Sequence, residues 1–332
     1  MKKAPLTARK ITIMLLDKIF PILEVLLLPL TYISSKWLGV IRRQILTGKF
    51  RLSNHIFKKT GVFPIIDHYY EPIFNYAKYV TDWNKERLSG TINLNIPEQL
   101  TFIKSFNYGH ELLRIPEKRI YTNDYFYKNK NFEAGDAEYY YSLIRKIKPS
   151  KIIEIGSGNS TLMALKAIEQ NKLDQIENQT ELICIEPYPN YWLKEIKGIT
   201  LIKSKVEKLE LTVFKELKEN DILFIDSSHM IRPEGDVLFE FMEILKCIPS
   251  GVYIHIHDIF TPYLFPKDWI EKGNYLWNEQ FLLEAILAYS SSFKVIGSLY
   301  YLKMNYLTEI SHAFPNLAKH NNNPGSFWIY KI

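Results

Sequence analysis

The sequence predicts an α/β chain whose later half is a doubly wound, mostly parallel sheet, preceded by a helical arm. Three observations predict it. Short β-branched runs recur at 151–155, 181–186, 200–204, 221–226 and 251–257, each nearly all apolar, as strands buried on both faces require. Helical patterns fill the gaps at 161–170, 191–196, 211–218 and 234–246, and such strand–helix–strand repeats build parallel sheets. After residue 258 the order becomes helix (278–290), strand (293–301), strand (326–330). That ending predicts seven strands in all, the last antiparallel.

Composition sets the frame. A chain of 332 residues, 47% hydrophobic and 23% charged, holds one large or two ordinary domains. The 22 tyrosines argue against disorder over most of the length. Cys184 and Cys247 lie far apart in apolar runs. They read as buried small hydrophobes of a reducing compartment, hence a cytoplasmic chain. Residues 1–60 carry twelve Lys/Arg against Asp17 and Glu24, a balance of +10, whereas the rest sums to −4. A basic apolar arm (1–60) thus precedes an extension or lid (61–130) and an α/β domain (131–332). The mildly acidic body, without a zinc-finger or stacking-sheet signature, excludes nucleic acid as a partner.

Within the arm, 19–35 is strongly apolar but contains Glu24 and is interrupted by Pro21 and Pro29. Residues 31–36 offer no small-residue cleavage site of the signal-peptide kind. Lys2, Lys3, Arg9 and Lys10 flank the run on one side, and Arg42, Arg43, Lys49 and Arg51 on the other. The pattern predicts peripheral contact of 11–40 with an anionic cytoplasmic leaflet. The competing reading is a helix pair packed on the body or on a second subunit of a homo-oligomer. A full span ranks last, because prolines and an acid interrupt the run.

The chemistry concentrates at strand ends. The first strand runs into Glu154-Ile155-Gly156-Ser157-Gly158-Asn159-Ser160-Thr161. Glycines there let a ligand approach the backbone, and the following helix offers free N–H groups. A dinucleotide turn would carry a third glycine where this chain has Thr161. The glycine-poor turn therefore favours S-adenosylmethionine, and Glu154 suits a cationic sulfonium amino acid. Glu186, ending the second strand, can accept hydrogen bonds from both ribose hydroxyls. Val206 and Glu207 follow the third strand, where adenine is expected. In 132–137 (FEAGDA) a Gly-Asp turn at Asp136 can close over the amino-acid end of the cofactor.

Asp226 and His229 close the fourth strand, and His257 and Asp258 the fifth. As these strands are expected neighbours, the four side chains should converge. His229 or His257 then serves as a general base beside Asp226. Alternatively Asp226, Asp258 and His257 hold Mg²⁺ or another divalent cation. His255, deeper in its strand, reads as structural. Two segments, 132–137 (FEAGDA) and 67–71 (DHYYE), read either as closing over a ligand or as packing corners, whereas the helix opening Trp277-Asn278-Glu279-Gln280, which follows the loop 260–274, reads as an acceptor-reading lid.

The segments GDAEYYYSLIRKIKPSKIIEIGSGNSTL (135–162), ICIEP (around 184–187), DILFIDSSHMIRPEGDV (221–237), HIHDIF (255–260) and WNEQFLLEAIL (277–287) resemble a bacterial class I S-adenosylmethionine-dependent methyltransferase of methyltransferase family 24. FPIIDHYYEP (63–72) resembles a recurrent upstream segment of that group. The resemblance covers about 130 to 332. It implies a Rossmann-like seven-stranded methyltransferase sheet and cofactor contacts at Glu154, Gly156, Gly158 and Glu186, with Ser157 and Ser160 in the same turn. Metal-dependent relatives place carboxylates where Asp226 and Asp258 stand, but add an Asp or Asn where this chain has His257 and Ile259. The expected reaction is O-methylation of a glycan or other polar small molecule by in-line transfer, with a base or metal managing one proton. Rivals are a membrane-associated cofactor-binding protein without catalysis and a nicotinamide-dependent oxidoreductase. Thr161 and the lack of a Tyr-x-x-x-Lys pair after strand five disfavour the latter.

Overall fold

The computed structural model describes residues 8–45, 47–72, 80, 82–87, 90–121, 123–175, 177 and 179–332. Lys2 and Lys3 lie outside them, as do the side chains of Arg9 and Lys10. The chain divides into two compact units, Met1–Tyr79 and Val80–Ile332.

In the first unit, α1 (Ala8–Ile45) runs unbroken for 38 residues through Pro21 and Pro29. The expected interruption does not occur. Each proline removes one backbone donor, but the Leu- and Ile-rich turns around both favour helix and carry it through. The next helix, α2 (Arg51–Thr60), ends on Gly61 in the left-handed region (φ 73°), its N–H donated to the Phe57 carbonyl at 2.8 Å. Trp37 meets Phe50 edge-on at 5.4 Å. Arg42 forks onto Glu71, its Nε and Nη2 at 2.5 and 2.9 Å from the carboxylate. Within 67–71, Glu71 is thus a packing corner.

The second unit opens with α3 (Ile96–Lys104) and α4 (Gly109–Leu112). Ile103, Phe106, Leu112, Tyr125 and Tyr127 are buried in the same core as the central strands. The expected 61–130 extension is therefore divided: its later part belongs to the sheet unit, because its aromatic side chains fill that core. Then follow α5 (Asp136–Ile147), β1 (Lys151–Ile155), α6 (Asn159–Asp174), β2 (Glu181–Ile185), β3 (Thr200–Ile202), α7 (Thr212–Lys215) and β4 (Ile222–Ile225). A helical run of α8 (Asp236–Phe239), a π-helical turn (Glu240–Ile244) and α9 (Leu245–Cys247) precedes β5 (Tyr253–Ile256). The chain closes with α10 (Lys267–Glu271), α11 (Glu279–Tyr289), β6 (Phe293–Ser298), α12 (Leu299–Ile310), α13 (Pro315–His320) and β7 (Phe327–Lys331).

The seven strands lie in the order β3-β2-β1-β4-β5-β7-β6. The first five are parallel, and β7 is antiparallel to both β5 and β6, as expected. Alternation sends Ile152, Cys184, Phe224 and Trp328 into one core and Ile153, Ile183, Leu223 and Ile254 into the other. The strand expected to run to 301 stops at Ser298, where pairing with β7, resumed after a bulge at Val295/Gly297, ends and α12 begins.

Candidate active site

Chain connections leave β1 toward β2 on one side and reach β4 on the other, so the strand order reverses beside β1. In open sheets ligands bind at that point, beyond the strands' carboxyl ends. A cavity of about 800 Å³ opens there.

Its first wall is the turn after β1. Gly156 has φ 79°, and a Cβ on it would lie 1.8 Å from the Asp226 carbonyl oxygen. Only glycine fits, because the loop backbone is pressed against the end of β4. Ser157, Gly158 and Ser160 line the cavity, and a Cβ on Gly158 would meet nothing within 4 Å. The first N–H groups of α6 have no partners inside the helix, which suits a polar ligand. Thr161 accepts the Gly158 N–H at 3.0 Å and donates its hydroxyl to Glu154 at 2.5 Å. Glu186 lines the cavity and accepts the Tyr188 and Ser157 N–H groups at 2.7 and 3.3 Å.

Three expected cofactor contacts fall elsewhere. Glu154 is wholly buried beneath the loop, held by the Thr161 hydroxyl and by the Tyr140 hydroxyl at 3.1 Å. Its alternation turns it into the core, out of reach of the cavity. Val206 is core, and Glu207 stands 3.8 Å from Lys205. Neither borders the cavity. Asn190 and Trp192, from the turn after β2, line the wall instead.

Burial pushes the Glu154 carboxyl up to about 7 against the pull of the Thr161, Tyr140 and Ser160 hydroxyls. The stabilisation from its protonated form is full below the ordinary glutamate value near 4.5 and is lost as pH rises through about 7. A displacement of that size corresponds to about 3 kcal/mol. Glu154→Gln is expected to flatten the melting temperature against pH between 4.5 and 7. An unchanged slope would show that the carboxyl is ionised in the folded chain.

On the opposite wall Asp226, His229, His257 and Asp258 do converge. His229 and Asp258 both occupy the left-handed region (φ 60° and 57°), which turns their side chains back toward the strand ends at some backbone cost. His229 Nε2 sits between Asp226 Oδ1 at 3.4 Å and Asp258 Oδ2 at 3.6 Å. Its Nδ1 bonds Glu279, and its ring lies 4.2 Å from Trp277. Burial disfavours its charge, but Glu279, Asp226 and Asp258 together raise its pKa well above the ordinary histidine value. Glu279 on Nδ1 and the two carboxylates around Nε2 favour its charged form, so the geometry supports a positioning role for His229 rather than the base role expected. Its ring also stands between the two carboxylates expected to share a metal. Among the described residues no group of three or more His, Cys, Asp or Glu can hold a metal ion, which corrects the site expected at Asp226, Asp258 and His257.

His257 borders the cavity with Nε2 3.6 Å from Asp258 Oδ1, and its Nδ1 has no hydrogen-bond partner among the described residues. Burial works against its charge, but Asp258, Asp226 and Asp136 raise its pKa. Asp226 is half-buried; burial opposes its charge, yet His257 and His229 hold its carboxyl down at about 2. Asp136, at the start of α5, lines the cavity and accepts the Ser326 N–H at 2.7 Å. Burial lifts it to about 6. His255 lies in the core, stacked on Phe224 at 3.8 Å and bonded to Ser326 at 2.8 Å. It is structural, as expected.

Of the helix opening 277–280, Trp277 lines the cavity. Asn278 accepts the Ile231 N–H and Gln280 the Phe260 N–H, each at 2.7 Å. With Glu279 on His229, three of the four residues clamp the site's frame. Sequence reasoning missed Asn190, Trp192, Trp269, Tyr275 and Gly325. The aromatic density of 269–277 was the available signal: Tyr275 stacks on Trp277 at 4.7 Å, and Trp269 meets it edge-on at 5.3 Å.

Residues 153–259 match a family model described as a methyltransferase domain, of the family-24 type expected from the sequence. An uncharacterized protein of Archaeoglobus fulgidus is 34% identical over 137 residues, 40% of this chain. The chain spans about 60% of the length of that relative. A Plasmodium falciparum structure described as a protein-L-isoaspartate O-methyltransferase in complex with S-adenosyl-L-homocysteine aligns at 16% identity and TM-score 0.30, over 48% of this chain and 82% of that one. By sheet order the second unit has the class I methyltransferase fold, and its residues 153–259 are the segment similar to the methyltransferase-domain model.

Proposed function

We propose that the chain is an S-adenosylmethionine-dependent methyltransferase acting on a hydroxyl of a polar acceptor, a glycan or a similar small molecule. The observation that carries the reading is one cavity with two chemically different walls: the Gly156–Ser160 loop with Glu186, and His257 with Asp258 and Asp226. The residues fit the cofactor. Gly158 lines the cavity with open space where a Cβ would stand, and Ser157 Oγ and Asn322 Oδ1 are buried beside the cavity without hydrogen-bond partners among the described residues.

S-adenosylmethionine, when bound, supplies a methyl group on an electrophilic sulfonium centre. Glu186 would hold the ribose hydroxyls, and Asp136 the amino-acid end, as carboxylate acceptors. His257 receives the acceptor hydroxyl's proton, and Asp258 beside Nε2 stabilises the imidazolium formed. Asp226, held near 2, stays ionised and is too weak a base for that task. His229 keeps Asp226 and Asp258 in place as their shared counter-charge. Orientation supplies most of the acceleration, since the donor methyl is already activated.

Calorimetry with S-adenosylmethionine and S-adenosylhomocysteine tests the cofactor. Glu186→Ala is expected to weaken both by roughly tenfold or more, the worth of hydrogen bonds to a charged acceptor. No heat with either ligand for the wild type sinks the reading. Transfer of labelled methyl to an oligosaccharide panel tests the acceptor. Binding without turnover across that panel favours a non-catalytic binding protein, and label on nitrogen refutes the hydroxyl.

A further inference from the structure

We infer that α1 crosses a lipid bilayer once, through residues 19–35, and tethers the catalytic unit to the cytoplasmic face. The helix is long and apolar enough between Lys18 and Ile45 to do so. Its apolar side chains are exposed on every side rather than along one stripe, from 41% at Leu23 to 69% at Leu26. Val25, Leu26, Leu27 and Leu28 are consecutive, and at 100° per residue four in a row point around the whole circumference. A helix lying in the headgroup plane needs a charged face opposite its apolar one. Between Lys18 and Lys36 this helix offers only Glu24, Thr31, Ser34 and Ser35 as polar residues.

The length fits as well. Seventeen residues separate the two lysines; at 1.5 Å each they cover about 26 Å, near the roughly 30 Å hydrocarbon layer once both lysine stems reach outward. Tyr32 and Trp37 lie near one end, where aromatic side chains favour the headgroup boundary. Both prolines sit inside an intact helix, which spans tolerate. Glu24 is one turn and a half from Lys18, about 9 Å inward, near enough for its carboxyl to extend toward the boundary. Thr31 returns its hydroxyl to the Leu27 carbonyl at 3.1 Å, so it exposes no free donor to lipid.

Flanking charge sets the direction. Residues 36–59 hold seven Lys/Arg and no acid, whereas 1–18 hold five Lys/Arg and Asp17. The excess favours the side on which the catalytic unit follows as cytoplasmic. The inference stands apart from the methyl-transfer reading, because partition and topology are read without activity.

The test uses the full chain with a tag after residue 332, expressed in bacteria. Membranes are washed with alkaline carbonate, then extracted with detergent. Retention through carbonate and release by detergent are expected. Release by carbonate, or recovery in the soluble fraction, overturns the span in favour of surface attachment or of packing against protein. Intact mass must show α1 still present; a chain beginning after it would mean a cleaved leader and overturns the inference. The double variant Leu26→Asp/Leu30→Lys is expected to leave the membrane fraction while retaining cofactor binding by calorimetry. If it stays carbonate-resistant, α1 is not the span. Protease added to intact cells should spare the 80–332 unit; its digestion refutes the orientation.

Discussion

Gly156→Ala is expected to abolish measurable cofactor binding and to lower the melting temperature on the order of 10 °C. Two costs combine. An L-residue at φ 79° pays roughly 1–2 kcal/mol of backbone strain. A Cβ 1.8 Å from the Asp226 carbonyl oxygen cannot be accommodated without moving the end of β4, and overpacking of that kind costs about 1–3 kcal/mol more. The displaced atom is backbone, so no rotamer change relieves the contact. Gly158→Ala is the control: its Cβ meets nothing within 4 Å and its backbone is extended. It should leave the melting temperature nearly unchanged and affect ligand binding alone. Equal destabilisation by both variants would refute the close approach of loop and strand.

Glu279→Gln is expected to change the pH profile of turnover and to cost about 3 kcal/mol of stability, the scale for breaking a buried ion pair. Glu279 is buried, and its carboxylate bonds His229 Nδ1. Glutamine can keep a hydrogen bond there but supplies no charge, so the His229 pKa falls. A raised histidine contributes stability that is full below its ordinary value near 6.5 and is lost as pH rises through its higher folded value. In the wild type that loss is displaced to alkaline pH; in the variant it moves toward neutral. Above pH 7 the variant should then leave Asp226 and Asp258 without their counter-charge. Turnover of the variant should fall with rising pH by about a decade per pH unit once the imidazolium pKa is passed, as the charged form is lost, and in the wild type the same fall should begin at higher pH. The ring resonances of His229 report the same titration directly. Parallel profiles for variant and wild type would show that Glu279 only fills space.

Much of the sheet was legible because burial on both faces leaves runs such as ILFI and IIEI almost wholly apolar. Thr161 and the sparse glycines likewise marked the turn after β1 from sequence. Residues 293–320 were harder: Tyr300, Tyr301 and Tyr306 serve helix and strand equally in composition, and nothing in Gly297-Ser298 marks where β6 gives way to α12. Convergence of Asp226, His229, His257 and Asp258 followed from strand adjacency. Their roles did not, because Glu279, which fixes the charge of His229, is 50 residues away in sequence. Glu154 misled for a related reason: an acid at a strand end reads as ligand-facing unless the hydroxyls of Tyr140 and Thr161 are known to receive it.

The contact between the Gly156 turn and the end of β4 has a thermodynamic consequence. The Asp226 N–H is donated to the Ile155 carbonyl at 2.8 Å, so the backbone that shapes one wall also carries a carboxylate of the other. Any ligand that favours one arrangement of the turn must bias the Asp226–His229–Asp258 array, and the array must bias that ligand in equal measure. Proton uptake on ligand binding, measured as the buffer dependence of the calorimetric heat, should therefore equal the slope of log affinity against pH with its sign reversed. The site then behaves as one linked unit, in which occupancy of one wall and protonation of the other are reciprocal variables.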